Sequence, residues 1–120
     1  MTRQSISSPD GRSETSNDLL RCEFARTGPE ETLYVTGELD VSTAPALERA
    51  VARTLDGQGG EFHLDLGGMT FMDSTGARAL VRLHRRFTRL GRQLVLVSPT
   101  RQVRLVLEIL GLDQLIDIRP

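Results

Sequence analysis

The hydrophobic residues of this chain change period several times, and the order of the changes restricts what it can fold into. Leu20, Cys22 and Phe24 alternate with polar residues, as a half-buried strand requires. Gly28-Pro29-Glu30-Glu31 reads as a turn. Alternation resumes at Leu33, Val35 and Leu39, with Gly37 between them, which predicts a second strand and a hairpin. The period then lengthens: Leu47, Val51 and Leu55 share one helical face, Ser42 or Thr43 can cap that helix, and Pro45 lies in its first turn, where a missing N–H costs little. Asp56-Gly57-Gln58-Gly59-Gly60 ends it. Phe62, Leu64 and Leu66 form a third strand, which Gly67-Gly68 is expected to break. Gly76, Leu80, Leu83, Phe87 and Leu90 recur at helical spacing, and Gly91 stops that helix. Leu94 to Val97 is a continuous apolar run, typical of a strand buried on both faces. Ser98-Pro99 is expected to open a third helix with a stripe of Val103, Val106, Leu107 and Leu110, ended by Gly111. Ile116 and Ile118 suggest a short last strand. The order β-β-α-β-α-β-α-β predicts an α/β domain whose sheet has parallel neighbours joined by right-handed crossovers.

Residues 1–18 are rich in Ser, Thr, Asp and Gly and offer almost nothing to bury, so a flexible tail is expected there, with the domain occupying 19–120. That length suffices for one core. No apolar run approaches the length of a membrane span, and the N-terminus lacks the apolar stretch of a secretory signal. A cytoplasmic location without membrane insertion is the expectation. Cys22 is the only cysteine, which rules out an internal disulfide. His63 and His84 fall on different predicted elements, so neither a metal site nor a cofactor is expected.

Charge is unevenly placed. Net charge is −1, yet residues 1–73 carry −7, residues 74–104 hold eight Arg and no acid, and residues 105–120 carry −2. Arg78, Arg82, Arg85 and Arg89 lie opposite the apolar side of the second helix. This face can be simply solvated, or it can dock on an acidic protein surface. One Tyr, no Trp, no Lys and an acidic pI argue against nucleic acid.

The basic block begins at Phe71-Met72-Asp73-Ser74-Thr75-Gly76. Ser74 is a good N-cap, and the first amides of a helix are unpaired donors at the positive end of its dipole. A phosphate on Ser74 would sit where a helix best tolerates negative charge. Read more plainly, the segment is a turn and a cap. Serine catalysis needs a base: His84 is almost three turns away on the same helix, which leaves His63 as the one other candidate. Gly57-Gln58-Gly59-Gly60 follows a helix and lacks a Gly-Lys-Ser/Thr ending, so it is not a nucleotide loop. An enzyme is not expected. Glu38 and Asp40, flanking Leu39, gain significance if the fold brings them beside Ser74.

Three separated segments, GELDVSTAPAL at 37–47, LDLGGMTFMDSTGARAL at 64–80 and LVLVSPTRQVRLVLEILGL at 94–112, resemble the STAS domain, and within it the bacterial anti-sigma factor antagonists. The resemblance spans roughly residues 19–118. It implies a single domain with a mixed sheet of about five strands and helices packed mainly on one side, with a monomer favoured. It also implies partner switching. The unmodified antagonist binds an anti-sigma factor that is a serine kinase and frees the sigma factor; phosphorylation parts the complex, and a phosphatase restores it. The phosphorylated position corresponds to Ser74, and the partner-binding positions to Asp40, Asp73, Ser74, Thr75 and Gly76. Arg78 departs from the small apolar helix start common in the family and lies close to the expected partner surface. The other readings are a STAS module in a transport or sensory assembly, without a serine switch, and a small hydrolase using Ser74.

Overall fold

The computed structural model describes residues 2–5, 19–55 and 59–120. One mixed sheet runs β1 (Thr2–Ser5), β2 (Leu20–Thr27), β3 (Glu30–Leu39), β4 (Glu61–Met72), β5 (Gln93–Val97), β6 (Asp117–Arg119), with spatial order equal to chain order. The β1–β2 and β2–β3 pairs are antiparallel; β3–β4, β4–β5 and β5–β6 are parallel. Helices α1 (Ala44–Thr54), α2 (Ser74–Arg89) and α3 (Arg101–Ile109) make the three crossovers. Each crossover steps one strand in the same direction. With a common right hand, all three helices fall on one face of the sheet.

That face is the core. Register sets Leu33 beside Leu64 and Leu64 beside Leu96, while Phe24 faces Leu33 on the antiparallel side. These residues, with Cys22, Val35, Phe62, Leu66 and Leu94, are buried against Leu47 and Val51 of α1, Leu80, Leu83 and Phe87 of α2, and Val103 and Leu107 of α3. The helical stripes are thus as expected, except at two ends: Leu90 is 44% exposed and Leu110 43%. Each is the C-cap of its helix, the residue that follows the last helical one.

Three boundaries differ from expectation. Gly67-Gly68 does not break the third core strand; β4 continues to Met72 because β3 pairs with it from His63 to Met72, with register shifts between Tyr34 and Thr36 and between Gly37 and Glu38. The irregularity lets Met69 and Met72 return to the buried side. The third helix starts at Arg101 rather than Pro99, because Ser98 still donates its N–H to Arg119 O and takes a left-handed φ of 54°. Thr100 is the N-cap instead, its Oγ1 accepting from Val103 N. Finally, Thr2–Ser5 lie in the expected tail but form the edge strand β1, paired with Glu23–Arg26, so the sheet has six strands among the described residues. The rest of the tail, and Asp56 to Gln58 of the expected helix stop, lie outside the described residues.

One charged cluster is buried. At the N-terminal ends of the parallel strands, Arg92 Nη2 donates to Glu31 Oε1 at 2.5 Å, and Arg26 also pairs with Glu31. The Arg92 guanidinium lies 5.8 Å and 5.7 Å from the ring centres of Phe62 and Phe87.

Candidate functional site

The candidate site sits at the opposite, C-terminal ends of β3 and β4. The last paired residues there are Glu38 with Phe71 and Leu39 with Met72. The next residue on each strand is an aspartate. The fold therefore brings Asp40 and Asp73 side by side, and Asp73 N donates to Leu39 O at 3.4 Å. Crevices beyond the carboxyl ends of parallel strands are the usual place for function in such sheets.

Asp73, not Ser74, caps α2. It has extended backbone (φ −111°, ψ −176°), and its Oδ1 accepts from Gly76 N at 2.8 Å and from Thr75 Oγ1 at 2.9 Å. A carboxylate satisfies an orphan amide and also meets the positive end of the helix dipole, so it outcompetes the hydroxyl next to it. Ser74 is displaced to the first helical position. Its side chain is exposed, and among the described residues its Oγ has no hydrogen-bond partner. Thr75, the other hydroxyl, is tied to Asp73.

Gly76 allows α2 to approach the end of β3. A Cβ there would lie 2.2 Å from Leu39 O and 2.7 Å from Leu39 C, closer than any side chain tolerates. The close packing expected from its place on the apolar stripe is present, and the contact is with backbone. It holds the Asp73-Ser74-Thr75 turn against the Asp40 loop.

The Asp40 carboxylate organises the start of α1. Its Oδ1 accepts from Ser42 Oγ at 2.7 Å, Ser42 N at 2.9 Å and Thr43 N at 3.2 Å. The Ser42 hydroxyl bond, followed by the two backbone bonds, holds the Asp40 carboxyl below its ordinary range. Thr43 occupies the N-cap position, as one of the two expected residues, but its hydroxyl does not cap. It donates to Glu38 O at 2.8 Å and accepts from Asp40 N at 2.9 Å, stitching the loop to β3. Arg78, one turn past Ser74, is exposed and makes no ion pair among the described residues.

Two site neighbours lie inside the quoted segments but outside the expected partner-binding positions: Val41, 70% exposed, and Phe71, 38% exposed. They flank the aspartates on either strand end. Phe71 carries a legible signal, since a large aromatic one position off the buried Met72 must face outward.

No histidine serves Ser74. His63 lies near the start of β4, roughly 30 Å along the strand from Met72 at about 3.3 Å per residue, at the end away from Ser74. Its Nε2 lies 2.9 Å from Glu61 Oε1. A cavity of 310 Å³ lined by Pro29, Glu30, Gly60, Glu61 and His63 is at that same far end. No described helix is long and apolar enough to cross a membrane.

The STAS domain family model matches residues 25–120. An anti-sigma-B factor antagonist of Listeria monocytogenes is 30% identical over 87 residues, covering 72% of this chain and 76% of that protein. Among solved structures, an anti-sigma factor antagonist from Mycobacterium paratuberculosis superposes with a TM-score of 0.71 at 23% identity, over 95% of this chain and 90% of that one. The anti-sigma factor antagonist SpoIIAA in its unphosphorylated form gives 0.63 at 22% identity, over 81% and 86%. The two structural likenesses speak to the fold, and the family match and the Listeria relative to kinship. By the family match and the Listeria relative, this chain belongs to the STAS domain family and, within it, to the anti-sigma factor antagonists, which are regulatory domains rather than enzymes.

Proposed function

We propose that this protein is a phosphorylation-switched anti-sigma factor antagonist. Its unphosphorylated form binds an anti-sigma factor serine kinase in the cytoplasm and releases the sigma factor. The kinase phosphorylates Ser74, the complex parts, and a phosphatase resets it. The observation that carries this reading is the difference between the two adjacent hydroxyls: Ser74 Oγ is exposed and unpartnered, whereas Thr75 Oγ1 donates to Asp73.

The physics of the switch follows from the same geometry. A phosphate adds about −1.5 to −2 charges at neutral pH. Ser74 is in the first turn of α2, where the helix dipole favours negative charge, so the fold tolerates the modification. The surface does not. Asp40 and Asp73 already place two carboxylates there, and an interface fitted to a neutral hydroxyl meets repulsion and desolvation. Arg78, one turn on, offsets part of that charge and softens the switch.

The test is incubation with an anti-sigma factor serine kinase and ATP, followed by mass mapping and calorimetry. One phosphate on Ser74 is expected. Ser74→Ala should bind the kinase like wild type and take no phosphate. Ser74→Asp should bind weakly with an unchanged circular dichroism spectrum. Phosphate mapping to Thr75, or wild-type affinity in Ser74→Asp, would overturn the assignment. Kinase binding without any phosphate would favour a STAS module lacking the serine switch.

A further inference from the structure

The outer face of α2 carries Arg78, Arg82, Arg85 and Arg89 at intervals of four, three and four residues, a line about 17 Å long at 1.5 Å rise per residue. All four are exposed, as is Arg86 beside them. Arg82 is braced by Glu48 of α1, with Nε to Oε1 at 2.8 Å. Arg78, Arg85, Arg86 and Arg89 meet no carboxylate among the described residues. Surface helices usually interleave charges, because like charges one turn apart repel. Here Arg78 with Arg82, and Arg85 with Arg89, are such pairs, and the Debye length of about 8 Å at physiological salt does not separate them.

We propose that this arginine line is a docking surface for an acidic surface of the same partner protein that reads Ser74. The inference rests on the reading of Ser74 as a protein-contact residue. The line starts one turn from Ser74 and is continuous with it. Guanidinium groups favour bidentate carboxylate recognition, and a fixed row of them on one rigid helix selects a matching row of acids. Nucleic acid fits less well. Phe87, the one aromatic ring of the Phe, Tyr or Trp type on α2, is fully buried, and the exposed Phe71 stands only at the Ser74 end, so no row of stacking rings runs along the line.

The test titrates the full chain with a short poly-L-glutamate peptide and, separately, with single-stranded oligouridylate, following backbone amide shifts. Poly-glutamate should shift residues along 78–89 and lose its effect in high salt. The double variant Arg85→Glu/Arg89→Glu should weaken that binding by roughly tenfold or more. Arg101→Glu/Arg104→Glu, on α3, should leave it unchanged. Equal losses from both charge-reversed pairs would mean a merely solvated face, and tighter binding of the RNA would assign a nucleic-acid surface; either result overturns the proposal. Kinase assays keep the two readings apart. Wild-type phosphorylation kinetics in Arg85→Glu/Arg89→Glu would sink the docking surface while leaving Ser74 as the switch. Absence of phosphate in every variant would sink the switch and, with it, the shared partner.

Discussion

At the N-terminal ends of β3, β4 and β5, Glu31 and Arg92 are each only 5% exposed, locked to one another and held beside Phe62 and Phe87. At the C-terminal ends of β3 and β4, Asp40 and Asp73 are half-buried, bonded to the nearest turn, and set next to an unengaged Ser74. The same sheet thus handles charge in two ways. A buried ion pair is costly to form and more costly to break, so it commits the fold to one arrangement. Carboxylates satisfied by local amides leave the surface free to gain a charge without disturbing the core. A switch belongs at the second kind of end.

The largest expected effect comes from breaking the buried end. Arg92→Met keeps the apolar stem but leaves Glu31 buried with Arg26 as its remaining partner, and should cost about 3 kcal/mol in denaturant unfolding. Ser74→Ala, at the other end, should change stability by less than about 0.5 kcal/mol. Comparable losses for the two would erase the contrast.

Gly76→Val probes the join between the switch and the core. The added side chain meets Leu39 backbone, which cannot move aside without lifting α2, and overpacking of this kind typically costs about 1–3 kcal/mol. Stability and kinase affinity should fall together. An unchanged melting temperature would show that α2 is not seated on β3 as described.

The smallest effect concerns surface charge at the N-terminal end. Hydrogen bonds from Arg119, and then His63, lower the Glu61 pKa to about 2. The folded value lies below the unfolded one, so this contribution is complete above about pH 4.5 and is lost as pH falls towards 2. Glu61→Gln should flatten the acid limb of stability in that window. The effect should be slight, because the Glu61 side chain is 41% exposed and surface pairs contribute little. Acid sensitivity exceeding the loss in Gly76→Val would mean that Glu61 is as structural as Glu31.

Period and punctuation made most of the fold legible. Leu20, Cys22 and Phe24 alternate and are buried; Leu80, Leu83 and Phe87 form the inward stripe of α2; Gly91 follows that helix in a left-handed conformation, φ 71°. Local preference misleads where neighbouring strands override it. Gly67-Gly68 looks like a break, yet β3 alongside keeps the strand going. Ser98-Pro99 looks like a helix start, yet a bond to β6 holds Ser98 in the sheet. Thr2–Ser5 have no apolar pattern at all, and only the open edge of β2 makes a strand of them.

The alternation of elements, the polarised charge and the segment Asp73-Ser74-Thr75-Gly76 can be read from the chain alone, because they depend on residues close together in it. Tertiary structure decided which charges meet. Glu31 and Arg92 are 61 residues apart, and neither advertises a buried partner. Asp40 joins Asp73 only because β3 and β4 are parallel and end in register. The roles of the two adjacent residues at the helix start were also decided in space. With Leu39 O accepting its N–H, Asp73 is placed to cap α2, and Ser74 is left with its hydroxyl turned to solvent.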